Sequence, residues 1–253
     1  MLQKPAMPMA GSWYQVQILV ERWFVLDAMR IVEALRGWRA DVALVSSTPD
    51  QIALEIPTDD LPLRATIFHA APDAYAEPLQ WALAWSPTWN ERWDDTARRC
   101  PASIVVAMAA RRPINYASFL LAYLALLDAT LQACDERDRA SCVLHWMPAQ
   151  QLMSFDHYRA QRTNLGPSGP AVNIRIANVT GRPGELLADT VGLAELGLPD
   201  LQIVFRDRDP AEIILRLRLL VRGMFIGERL DCAWTEEASL VPPARDALTL
   251  QLE

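Results

Sequence analysis

Val172–Val179 (VNIRIANV), Gly181–Gly184 (GRPG) and Glu185–Asp189 (ELLAD) form the stretch that decides the fold class. Apolar and polar side chains alternate through the first segment, the spacing of a strand with one face turned inward. The Gly-Arg-Pro-Gly turn lets the second segment fold back and pair with the first. Leu201–Phe205 reads as a further strand. Just after it, Asp209-Pro210-Ala211-Glu212 supplies a helix N-cap, a proline at the first helical position and a glutamate three residues beyond the cap. The helix opened there is predicted to reach about Phe225, and Leu248–Leu252 to add a last strand.

Working outward, helical and extended patterns keep alternating. Trp23–Trp38 places Phe24, Val25, Ala28, Ile31, Val32 and Leu35 on one helical face, Asp27, Arg30 and Glu33 on the other, with Gly37 as a stop. Val42–Ser46, Ile52–Ile56 and Leu63–Ala70 read as short strands, and Ser103–Ala109 and Cys142–Trp146 as buried ones. A long apolar helix is expected from Pro113 to about Cys134. Pro148 is expected to open a shorter one that ends before Gly166-Pro-Ser-Gly-Pro170. The mixture predicts an α+β or α/β fold, a mixed sheet covered by helices. The division expected is a flexible tail over 1–12, an N-terminal α/β subdomain over 13–165 and a C-terminal α/β subdomain over 171–253 packed on it, with the loop at 166–170 as boundary.

Composition excludes several classes of function. At 253 residues, 51% hydrophobic and 22% charged, the chain is globular in character rather than disordered or fibrous. A net charge of −7 argues against a general nucleic-acid binder. Of the 24 basic residues only Lys4 is a lysine, which makes P-loop, Schiff-base and other embedded-lysine chemistry improbable. Cys100, Cys134, Cys142 and Cys232 are scattered beside apolar neighbours, the pattern of reduced buried thiols and not of a zinc site. His69, His145 and His157 fall in separate segments, and H-E-x-x-H, G-x-S-x-G and G-x-G-x-x-G motifs are absent. No metal or cofactor is therefore expected. The longest apolar run, Ala117–Leu127, is short of a membrane span and no secretory leader is evident, so a cytoplasmic location is expected.

Two clusters carry either a structural role, indoles packing a helix on the sheet and a solvated acidic face, or a binding one. Trp81, Trp85, Trp89 and Trp93 recur at every fourth residue, an aromatic ridge interrupted by Pro87. Between Asp41 and Glu77, seven acidic residues stand against Arg64 alone, a local net of −6, with Asp59 and Asp60 in a loop bounded by Pro57 and Pro62. Such a face can steer a basic partner. The most motif-like segment is Asp189–Gln202 (DTVGLAELGLPDLQ), in which Gly192, Gly197, Pro199 and Asp200 read as turn geometry between two strands.

That segment, followed by Asp209-Pro210 and an apolar helix, resembles a bacterial domain family of unknown function with a DTVGL…LGLPDLQ motif. The strand at Ala102–Ala109 and Val143–Pro148 are similar to that family too, and the likeness runs from about Val42 to Gly227. Gly227-Glu-Arg-Leu-Asp231 departs from the Asp-Gly turn usual there. The resemblance implies a setting beside type VI secretion and polymorphic-toxin genes, as immunity proteins or secretion accessories. The expectation is a non-enzymatic cytoplasmic immunity protein that binds a toxin, most simply a basic nuclease effector. In that reading Asp59, Asp60, Asp73 and Glu77 supply charge, and Trp81 and Trp85 apolar anchors. An effector-loading adaptor or chaperone is the alternative. A hydrolase assembled around His145 or His157 comes third.

Overall fold

The structure, a computed structural model, describes residues 13–58, 62–86, 95, 100–109, 116–228, 233–238 and 246–250. It is an α+β fold built on two sheets. The first has seven strands in the order β2-β3-β4-β5-β1-β6-β7, every neighbour antiparallel. These are β1 (Trp13–Val20), β2 (Ala43–Thr48), β3 (Gln51–Ile56), β4 (Leu63–Ala70), β5 (Ala102–Ala109), β6 (Val143–Trp146) and β7 (Gln151–Ser154). The second has five in the order β11-β12-β10-β9-β8, with β10 and β12 parallel. They are β8 (Asn173–Asn178), β9 (Leu186–Val191), β10 (Asp200–Phe205), β11 (Trp234–Ala238) and β12 (Asp246–Leu250). The chain thus passes from one sheet to the other between Ser154 and Asn173.

β1 is unassigned in the sequence reading, yet it lies inside the larger sheet, between β5 and β6. Its sequence alternates, Tyr14, Val16 and Ile18 against Gln15 and Gln17, and the fold buries the polar face as well as the apolar one. Tyr14, Val16 and Ile18 belong to the main core with α1 (Ala28–Trp38) and α3 (Tyr116–Ala133). Leu19, on the opposite face with Gln15 and Gln17, packs with Ala82 of α2 (Ala76–Trp85), Cys100, Val143 and Leu152. The two sheets share one core: Tyr14, Leu127, Ala188, Leu201, Ile203 and Leu217 are members of a single contiguous buried cluster.

α3 carries buried residues around most of its circumference, including Leu120, Tyr123, Leu124 and Leu127, as expected of a helix enclosed by the fold. It is long and apolar enough to cross a membrane by composition, but here it is the central core helix. Tyr14, Phe119, Tyr123, Trp146 and Tyr158 meet around it, largely edge to face. Their polar tips are bonded inside. The Tyr123 hydroxyl donates to the Val106 carbonyl at 2.7 Å, and the Trp146 indole donates to the Tyr14 oxygen at 2.9 Å.

Three local readings are corrected. The first helix begins at Ala28 rather than Trp23, because Asp27 leaves the polar stripe to become the N-cap and accepts from the Arg30 amide at 3.0 Å. Pro148 opens no helix. Gln150 takes a positive φ of 49° in a tight turn that sends β7 back along β6, and α5 (Phe155–Leu165), the next helix after the short α4 (Glu136–Ser141), starts only at the Ser154 cap. The segment 166–170 is more than a loop: α6 (Ser168–Ala171) follows Gly166, with Gly169, Pro170 and Ala171 buried. Gln151 donates to the Pro170 carbonyl at 2.6 Å and ties this turn to the first sheet.

Candidate binding groove

α7 (Pro210–Phe225) is built as its sequence dictates, with Asp209 accepting from the Ala211 amide at 2.9 Å and Pro210 in the first turn. Ile213, Leu217, Val221 and Met224 form the stripe it buries. Leu215 and Leu219, one turn apart, are left outside that stripe, with Arg218 and Arg222 beside them. Across a gap stand Leu121 of α3 and Leu165 at the end of α5, and Ile226 follows α7 at the near side. Leu121, Leu165, Leu215, Leu219 and Ile226 are 47, 36, 58, 60 and 64% exposed.

Together these elements enclose a groove of about 670 Å³ floored by Gly169, Val172, Ile174 and Val221. Tyr116 secures the join between α3 and α7: its hydroxyl donates to the Met224 carbonyl at 2.8 Å and its ring meets Phe225 edge-on. Of the twelve large apolar side chains exposed among the described residues, five line this one concavity. Its charged lining is Arg218 and Arg222, with no Asp or Glu among the lining residues, in a chain of net charge −7. His157 sits on the rim with its Nε2 2.6 Å from the Gln161 amide nitrogen. Burial, aided by the positive charge of Arg218, holds its pKa below the usual histidine value.

The chain matches no protein-family model, no curated protein and no solved structure.

Among the described residues, Glu77 and Trp81 of the sequence-predicted partner set stand together and Trp85 is set apart from them. Asp59 and Asp60 lie outside the described residues, as do Trp89 and Trp93. Asp73 lies in a 3-10 turn, Pro72–Tyr75, that leads into α2. Glu77 and Trp81 are exposed one turn apart on α2 and form a presented pair. Trp85 is turned inward instead. The Arg175 guanidinium lies 5.0 Å from its ring centre, and its carbonyl accepts from the Asn173 side chain at 3.2 Å. The acidic stretch is also partly answered within the fold, because Asp41 is 3.5 Å from Arg39 and Glu55 stands directly across from Arg64.

The 189–202 motif is a joint between β9 and β10. Asp189 receives a two-pronged ion pair from Arg175 in the interior, its Oδ1 at 2.9 Å from Nε. The Thr190 hydroxyl donates to Asp200 Oδ1 at 3.2 Å and accepts from the Leu201 amide at 2.8 Å. Asp200 also accepts from the Leu193 amide at 3.2 Å, closing the turn that Gly192, Gly197 and Pro199 shape.

The histidines are held apart. His145 is fully buried and its Nδ1 is 3.1 Å from Gln17 Oε1, while Gln17 donates to the Ser103 hydroxyl at 3.0 Å. Burial pushes its pKa down to about 4. His69 lies under Trp23 at 4.8 Å between ring centres. Cys100, Cys134 and Cys142 are free, buried thiols, and burial pushes Cys134 up to about 12. Among the described residues no three His, Cys, Asp or Glu side chains gather as a metal site. Sequence reasoning missed the groove because it treated α7 only as a capped apolar helix. The available signal was Leu215 and Leu219 falling off the buried i, i+4 stripe beside arginines.

Proposed function

We propose that this protein is a non-catalytic binding protein, and specifically a cytoplasmic immunity protein that captures and neutralises a cognate antibacterial toxin. The observation that carries the binding reading is the groove: apolar surface concentrated in one concavity marks an interaction site rather than the scattered exposure normal on a monomer. The toxin part of the reading rests on the motif at Asp189–Gln202 and the family it resembles. A nuclease effector with a basic cleft is the partner proposed, met by the exposed Glu77 and Trp81 and the acidic segment around them.

One observation favours the alternative, an adaptor or chaperone that loads an effector for secretion. The groove is lined by arginines, so it complements an acidic segment and not a basic catalytic cleft. A partner held there would keep its active site open. Affinity purification from the native host, with the captured partner returned to a toxicity assay, tests both readings. A toxin that loses activity on binding supports immunity, one that stays active supports the adaptor, and capture of no partner refutes both.

A further inference from the structure

We infer that the α3–α5–α7 groove receives an acidic amphipathic helix presented by the partner protein. This rests on the binding reading above and names the chemistry of what is bound. α7 lines the groove from Ile214 to Phe225, a wall of roughly 18 Å at 1.5 Å per residue, which matches a partner helix of about three turns. Leu215 and Leu219, at i and i+4 on one wall, face a groove whose other lining includes Leu121 and Leu165, apolar surface of the kind that takes the stripe of an amphipathic helix.

Charge then selects the sign of the occupant. Arg218 and Arg222 stand one turn apart along the same wall, and among the described residues no carboxylate is paired with either. A helix carrying Asp or Glu beside its apolar stripe would supply two charge-assisted bonds where the groove supplies two guanidinium groups. The same feature disfavours a second copy of this chain. Two α7 faces packed on each other would bring Arg218 and Arg222 against their own duplicates with no acid in the lining. The open leucines, between about one third and two thirds exposed, suit a broad helix surface better than an acyl chain, which requires enclosure.

The test uses the full-length protein and two fluorescein-labelled 18-residue peptides read by anisotropy. One peptide carries leucines at i, i+4, i+7 and i+11 of an alanine background with glutamates on both flanks; the other has lysine at every glutamate position. The glutamate peptide is expected to bind at least about tenfold more tightly, roughly 1.4 kcal/mol. Leu215→Glu with Leu219→Glu should weaken it at least about tenfold, and Arg218→Glu with Arg222→Glu should invert the preference between peptides. Circular dichroism confirms that these surface variants fold. Equal binding of the two peptides, absence of saturable binding, or indifference to the leucine variants overturns the inference. If a native partner is captured equally well by the arginine and leucine variants, the groove assignment fails while the binding function stands. If no partner is captured but the peptides behave as expected, the function fails and the groove stands.

Discussion

Two glycines of one motif offer a controlled comparison. Gly192 has φ +117°, and a Cβ built on it would lie 2.4 Å from the Ala171 carbonyl oxygen, 3.2 Å from Ala149 Cβ and 3.3 Å from Ala149 Cα. Unbonded carbons pack at about 3.5–4.0 Å, and the tightest obstacle is backbone, which cannot rotate away. Gly197 has φ +81° with nothing within 4 Å of the added carbon. Gly197→Ala therefore carries only the conformational penalty of a left-handed residue, about 1–2 kcal/mol. Gly192→Ala adds overpacking, about 1–3 kcal/mol, to backbone strain of similar size, so about 2–6 kcal/mol is expected. In a chain of 253 residues, each kcal/mol moves Tm by about 2–4 °C, so the two variants should melt several degrees apart. Urea unfolding followed by tryptophan fluorescence and circular dichroism gives the same comparison at 25 °C. If Gly192→Ala loses no more stability than Gly197→Ala, the close approach of the β9 end to Ala149 and Ala171 does not constrain the fold.

Three further outcomes follow from the same geometry. Asp189→Asn leaves the Arg175 charge buried without its counter-ion and should cost about 3–5 kcal/mol in urea unfolding, whereas Arg175→Leu combined with Asp189→Leu should cost markedly less. His145 takes its proton near pH 6.5 when unfolded but only near pH 4 when folded. Between those values the unfolded chain binds more protons, so stability should fall as pH drops through that window by up to roughly 3 kcal/mol; His145→Gln should flatten that part of the profile, and an unchanged slope would place the titration elsewhere. Trp81→Ala should change stability by less than about 0.5 kcal/mol, while Trp85→Ala, which removes the surface under Arg175, should lose about 2 kcal/mol in the same assay.

Local signals in the sequence determined much of the fold. The Asp209-Pro210-Ala211-Glu212 cap produces α7 with its end at Phe225, and the alternation across the Gly181–Gly184 turn produces the β8–β9 hairpin. Both are short-range effects: a cap and a turn act on their own backbone wherever the chain goes. The deep strand β1 and the short β7 were not legible in this way. β1 does alternate, Tyr14, Val16 and Ile18 against Gln15 and Gln17, but that period marks a strand and not its central, doubly buried place between β5 and β6, and β7 exists because β6 is there to pair with it. The sequence likewise placed Trp81 and Trp85 in one spaced series, but only packing against β8 turns Trp85 beneath Arg175 and leaves Trp81 outside. The groove is the clearest case. Its walls come from residues near 121, 165 and 215–226, which no local period relates. Which leucines of α7 face inward is decided by the sheet that α7 covers, and which remain for a partner is decided by where α3 and α5 stop short of covering the rest.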